Sequence, residues 1–241
     1  MGWSITDSEA LENAIFEMKF RLAKEIGVEK GMTVVDVGCG QGGFTAALAR
    51  TVGARGKVIA VDVSEEYLEE FWERLDKYGM KNRVTFTRMD AADLRSVVSD
   101  EVADLVASYR LLEELKQPGD MGRIVKEMAH ITRKGGKICL TELTTEARSK
   151  AEEIYIRLHR ESGDSFFRRN EIVEAMDNAG LTSVDVEIFD TDIWFSPEVA
   201  RQDLGFAQVW FNEDVERNLG QLIDRYGMKY PVLLIFSGKR K

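Results

Sequence analysis

Asp36-Val37-Gly38-Cys39-Gly40-Gln41-Gly42-Gly43 closes an apolar run at 33–37 and opens a helical stretch at 42–51. A strand that breaks into glycines and resumes as a helix lets the backbone approach a ligand closely. It also points the first-turn N–H groups of the helix at that ligand. The spacing of Gly38, Gly40 and Gly43 satisfies G-x-G-x-x-G, so a nicotinamide dinucleotide is allowed by the glycines alone. Asp36, two residues before Gly38, changes the chemistry. A carboxylate there opposes a pyrophosphate and suits a ligand with a cationic amino-acid end.

Outward from this loop, short apolar runs alternate with longer amphipathic ones. The pattern predicts strands at 33–37, 57–62, 83–88, 103–108 and 137–142, with helices at 42–51, 64–79 and 119–132 and a less regular one at 93–99. Ser64 reads as a cap for the helix at 64–79, Glu65 and Glu66 as its acidic first turn, and Gly79 as its stop. Leu11, Ile15, Met18, Leu22 and Ile26 place an amphipathic helix at 8–26, inside an N-terminal helical segment at 1–30. Strands that are apolar throughout imply a parallel sheet covered by helices on both faces, an α/β three-layer sandwich.

Beyond residue 142 the pattern changes. Helices at 146–161 and 168–179 lead to 183–190, where Val184, Val186 and Ile188 alternate with acids, as in a half-exposed edge strand. The run at 232–236 is continuously apolar and belongs inside the sheet, between that edge and the strand at 137–142. Residues 191–229 are too many for a hairpin and read as a cap insertion between the last two strands, with a helix at 213–226. The cap carries Trp194, Phe195, Phe206, Trp210 and Phe211. The whole of 1–241 is expected to form a single domain.

Two further acids fall where ligands bind in open α/β sheets, at the carboxyl edge of the strands. Asp62 ends the second strand, placed to accept from ribose hydroxyls, and Asp90 follows the third. With Arg133-Lys134-Gly135-Gly136 before the fifth strand, these motifs over residues 30–142 resemble the class I S-adenosylmethionine-dependent methyltransferases, of the small-molecule type. The resemblance implies a seven-stranded sheet of order 3-2-1-4-5-7-6 with the last strand antiparallel. It implies S-adenosylmethionine as cofactor and S-adenosylhomocysteine as product. Gly38, Gly40 and Gly42 would hold the methionine portion with help from Asp36, and Asp62 would bind the ribose. Val63 would pack on adenine, Asp90 and the Ala91 backbone would read its edge, and Ser108 would face the methionine.

Composition narrows the alternatives. The chain has 241 residues, 44% of them apolar, and a net charge of −9. That charge opposes a nucleic-acid partner, whose phosphates require a basic face. No apolar run approaches the roughly 18 residues of a membrane span, and the acidic start is unlike a signal peptide. The expected compartment is the cytoplasm. Cys39 and Cys139 lack metal-ligand spacing with the two histidines, so no metal site is expected.

The acceptor is less legible. Ser108-Tyr109-Arg110 lacks the Asn/Asp-Pro-Pro-Tyr/Phe motif that the resemblance ties to amide- or base-nitrogen methylation. His159, Tyr109 and Glu142 are the candidates for a catalytic base, and Tyr155, Trp194 and Phe195 for an acceptor pocket. The expectation is methyl transfer to a small organic acceptor under a lid made from the N-terminal helix, 146–170 and 191–229. The alternatives are a protein or RNA methyltransferase, an NAD-dependent oxidoreductase, and a silent S-adenosylmethionine-binding protein.

Overall fold

The computed structural model describes residues 5, 7–96, 98–99, 101–115, 119–202 and 213–241. The chain divides into two compact units: a sheet unit of 19–142, 167–187 and 234–241, and a smaller unit of 1–18, 143–166 and 188–233. Helix α1 (Ser8–Glu25) contributes its first part to the smaller unit and its remainder to the sheet unit.

The sheet unit begins with β1 (Thr33–Val37), α2 (Gly43–Val52), β2 (Lys57–Asp62), α3 (Leu68–Lys77) and β3 (Val84–Arg88). It continues with β4 (Ala103–Tyr109), α4 (Asp120–Ile131), β5 (Thr132–Leu143), α6 (Arg169–Asn178) and β6 (Thr182–Phe189), and ends in β9 (Leu233–Lys239). The seven strands lie in the order β3-β2-β1-β4-β5-β9-β6. β1 pairs in parallel with β2 and β4, β2 with β3, and β4 with β5. Reciprocal bonds from Gly135 N to Arg240 O and from Arg240 N to Gly136 O mark β9 as antiparallel to β5. This is the expected topology; the inserted strand is ninth in the chain because two short strands precede it.

Burial explains the pattern. Val34, Val35 and Val37 of β1 are fully buried, as a strand covered on both faces requires. β6 alternates between half-buried and exposed residues along the sheet edge as far as an exposed Ile188, and ends in the buried Phe189. α3 buries Phe71 and Leu75, one helical turn apart, and the left-handed Gly79 ends it.

Four boundaries depart from the sequence expectation, one of them the helix expected from 146, which starts at Lys150 behind its Ser149 cap. α3 starts at Leu68 rather than 64, because Ser64 is used in a turn: its N–H donates to Asp62 Oδ1 and its hydroxyl accepts from Glu66 N. The stretch at 93–99 is a 3₁₀ turn at Ala91–Ser96. β5 starts at Thr132, five residues before the expected 137, since 133–136 bulge out between pairs Ala103–Thr132 and Leu105–Lys137. Gly136 fits there because a Cβ would lie 2.9 Å from the carbonyl oxygens of Arg133 and Asp104.

The smaller unit holds α5 (Lys150–Glu161), β7 (Trp194–Phe195), α7 (Pro197–Gln202), α8 (Glu213–Tyr226) and β8 (Met228–Lys229). Ser149 caps α5 by accepting from Glu152 N, and the Glu152 carboxylate accepts in return from Arg148 N. β7 and β8 pair antiparallel, Trp194 opposite Lys229 and Phe195 opposite Met228. The Lys229 ammonium donates to the buried Glu152 carboxylate at 2.9 Å, a pairing that burial of both charges demands. Arg201 joins α7 to α8 through Glu216 and Asp224. Phe206, Trp210 and Phe211 of the expected cap lie outside the described residues. Among the described residues no helix is long and apolar enough to cross a membrane.

Candidate cofactor site

The glycine loop wraps onto the end of β2. Gly38 N and Cys39 N both donate to Val61 O, at 2.8 and 3.1 Å, and Gly40 N donates to Asp62 Oδ2 at 2.8 Å. Asp62 therefore holds two backbone N–H groups, those of Gly40 and Ser64, and keeps lone pairs for a ligand. Gly38, Gly40 and Gly42 all have positive φ, of 76°, 46° and 76°. Their surroundings differ. A Cβ on Gly42 would meet the Phe71 ring at 2.7 Å, whereas a Cβ on Gly40 would meet nothing within 4 Å. The loop packs tightly beneath and stands open over Gly40.

Asp36 lies under this loop, fully buried. Its Oδ2 accepts from the Thr45 hydroxyl of α2 at 2.5 Å, while Oδ1 has no hydrogen-bond partner among the described residues. Burial pushes its carboxyl up to about 7; Asp62 adds repulsion, and Thr45 and Lys19 oppose the shift. Lys19 of α1 stands beside it, its Nζ 4.6 Å above the Tyr109 ring. Burial pulls this ammonium down to about 7, with Arg74 and Arg110 adding repulsion and Asp36 opposing.

These opposed shifts set a pH dependence. Asp36 keeps its proton in the folded chain to a higher pH than in the unfolded one, so its contribution to stability falls as pH rises from about 4 to 7. Lys19 loses its proton earlier in the folded chain, so its contribution rises from about 7 to 10. The ligand-free protein is expected to show a dip in Tm near pH 7. The double variant Asp36→Asn/Lys19→Met should flatten the dip in a Tm series from pH 4 to 10; a dip of equal depth in that variant would contradict the assignment.

The remaining cofactor candidates line the same edge. Val63 follows β2 and is 63% exposed, an open apolar surface for a flat ring. Exposed Asp90 follows β3, its Oδ1 accepting from Ala92 N at 2.8 Å, and Ala91 opens the 3₁₀ turn. Ser108 is buried at the end of β4, its Oγ without a partner among the described residues. Because Ser108 pairs with Val37 while Ala107 pairs with Asp36, the side chains of Ser108 and Asp36 leave opposite faces of the sheet.

The three candidate bases separate. Tyr109 packs against Phe44, ring centroids 5.4 Å apart, in the sheet unit. Glu142 is buried at the end of β5 and accepts from Leu112 N. Burial, then the Glu113 carboxylate, holds its carboxyl well above the usual range. Engaged with Leu112 N, this carboxyl holds the turn at 112–114. His159 lies in the smaller unit, its Nδ1 paired with Asp164 Oδ2 and its ring 4.8 Å from Tyr155. Tyr155 in turn packs on Tyr230 at 4.8 Å. Trp194 lies under the Lys229 ammonium at 5.4 Å, while Phe195, 1% exposed, is core.

Sequence reading missed Lys19, Thr45 and Asp164. Lys19 had a signal: it lies four residues after Ile15 and three before Leu22, on the inner stripe of α1, where a charge is out of place.

This edge fits an amino acid joined to a nucleoside. Asp36 Oδ1 awaits a donor, the space over Gly40 admits a chain, Asp62 can accept from a diol, and Val63 and Asp90 offer an apolar face and an acceptor. Residues 28–186 match the family described as "Methyltransferase domain". The chain is 26% identical over 129 residues to the ubiquinone/menaquinone biosynthesis C-methyltransferase UbiE of Idiomarina loihiensis, covering 54% of this chain and 49% of that protein. It is 31% identical over 135 residues to the methyltransferase GfsG of Streptomyces halstedii, covering 56% and 46%. The matches thus span about half the length of these curated relatives. Among solved structures, a cyclopropane-fatty-acyl-phospholipid synthase-like protein from Lactobacillus casei shares the fold with a TM-score of 0.74 at 15% identity, over 95% of this chain and 91% of that one. A SAM-dependent methyltransferase from Aquifex aeolicus does so with 0.60 at 20%, over 96% and 93%. With the motif order, the sheet order and the family match in agreement, the chain belongs to the class I methyltransferases, enzymes whose methyl donor is S-adenosylmethionine.

Proposed function

We propose that this enzyme methylates a small organic acceptor, with the cofactor held along the edge formed by Asp36, Gly38, Gly40, Gly42, Asp62, Val63, Asp90 and Ala91. When bound, S-adenosylmethionine supplies a methyl group on a cationic sulfur. The chain's own work is then to hold the amino-acid end at the glycine loop and the ribose at Asp62, and to align the acceptor. The carrying observation is the charge of the edge: Asp62 ends β2 and the exposed Asp90 follows the adjacent β3, in a chain of net charge −9. Phosphates of an RNA acceptor would approach against that field. The likeness to UbiE, a ubiquinone/menaquinone biosynthesis C-methyltransferase, supports this reading.

Incubation with methyl-labelled cofactor and fractionated cell extract is expected to label a low-mass compound. Label in RNA or protein alone would overturn the acceptor class, and no label in any fraction would favour a silent binding protein. Once an acceptor is in hand, Glu142→Gln is expected to keep kcat within about threefold, because the Gln carbonyl keeps an acceptor facing Leu112 N; loss of a general base would instead cost about 10²–10⁴-fold.

A further inference from the structure

We infer that Lys19 binds the α-carboxylate of the cofactor's methionine end, beside Asp36, whose unpartnered Oδ1 takes the α-ammonium. The inference rests on S-adenosylmethionine being the cofactor. Lys19 comes from α1, outside the strand-and-loop motifs, and α1 buries Leu22 and Ala23 on the same side. Its ammonium has no carboxylate within ion-pair distance among the described residues. Asp36 faces it from β1, Arg74 from α3, Arg110 from the end of β4, and the Tyr109 ring lies beneath it.

Of these cations, Arg110 is committed to Glu113 through its Nε at 2.6 Å. Lys19 is the one drawn to the loop itself: a Cβ on Gly43 would lie 2.8 Å from its Nζ and 3.4 Å from Arg74 Nη1. Gly43 is the first residue of α2, so the ammonium stands beside the start of that helix. A buried ammonium is costly unless an anion meets it. The nearest buried acid, Asp36, spends one oxygen on Thr45 and leaves the other open. A cation beside an open carboxylate oxygen is the complement of an α-amino acid, whose carboxylate and ammonium are separated by one carbon.

The test compares S-adenosylhomocysteine with its decarboxylated analogue, S-adenosyl-3-thiopropylamine, by calorimetry on the full chain. Lys19→Met is expected to weaken S-adenosylhomocysteine about tenfold or more, the loss of a charge-assisted hydrogen bond, and to leave the analogue unchanged. Lys19→Arg should recover part of the loss. Affinity of the unsubstituted protein for S-adenosylhomocysteine should fall as pH rises above about 7, where free Lys19 loses its proton, and Lys19→Met should lack that part of the fall. Equal losses for both ligands, or none for either, would overturn the inference. If the unsubstituted protein bound neither ligand, the cofactor reading itself would fail and the inference with it.

Discussion

Asp62→Ala is expected to weaken S-adenosylhomocysteine binding by about 100-fold, on the order of 3 kcal/mol, the largest effect of any single change at the site. Two losses combine. The ribose hydroxyls lose an ionised acceptor, worth about 1.5–3 kcal/mol per hydrogen bond. The loop also loses an anchor, since Gly40 N and Ser64 N donate to the two oxygens of this carboxylate at 2.8 and 3.0 Å. Asp62→Asn separates them: its amide oxygen can keep Gly40 N, while the charge and half the acceptor capacity are gone. Its affinity should fall between the two. Calorimetry on the three proteins checks the order, and an unchanged affinity in Asp62→Ala would refute the assigned role.

Gly42→Ala is expected to destabilise the fold by about 3 kcal/mol, of which roughly 1–2 come from forcing an L-residue into the left-handed region. The rest is overpacking, about 1–3 kcal/mol for a methyl driven into a filled core. Its Cβ would lie 2.7 Å from Cδ2 of Phe71, a fully buried ring edge-on to Phe86 and so unable to retreat. Gly40→Ala is the informative partner. Its φ of 46° carries the same kind of strain, yet its Cβ meets nothing within 4 Å. It should cost only about 1 kcal/mol of stability, while placing a methyl group in the space assigned to the cofactor. Urea unfolding and calorimetry on both variants should therefore show opposite rankings for stability and affinity.

The sheet was legible because its signal is local. β1, β2, β4 and β5 read as apolar runs, β6 as an alternation, and the burial contrast of β6 and β9 gave their order. Boundaries failed where a residue had two uses. Ser64 has the chemistry of a helix cap but serves the turn beneath Asp62. Arg133-Lys134-Gly135-Gly136 has the chemistry of a turn before a strand but bulges within one.

Site residues divide in the same way. Asp36, the glycines and Asp62 lie within or at the ends of neighbouring strands, so spacing reveals them. Thr45 meets Asp36 only because α2 folds back over β1. Lys19 reaches the loop only through the packing of α1. Asp164 meets His159 because the left-handed Gly163 turns the chain back after the helical period has ended, and the Asp164 N–H then donates to His159 O at 3.1 Å. No sequence period carries such contacts.

The measurement that bears most directly on the central claim is a pair of calorimetric titrations of the unsubstituted protein, one with S-adenosylhomocysteine and one with NAD. Asp36 beneath the loop, Asp62 at the ribose position and the open space over Gly40 predict one S-adenosylhomocysteine per chain and no heat of binding from NAD. Saturable NAD binding with none of S-adenosylhomocysteine would contradict the account.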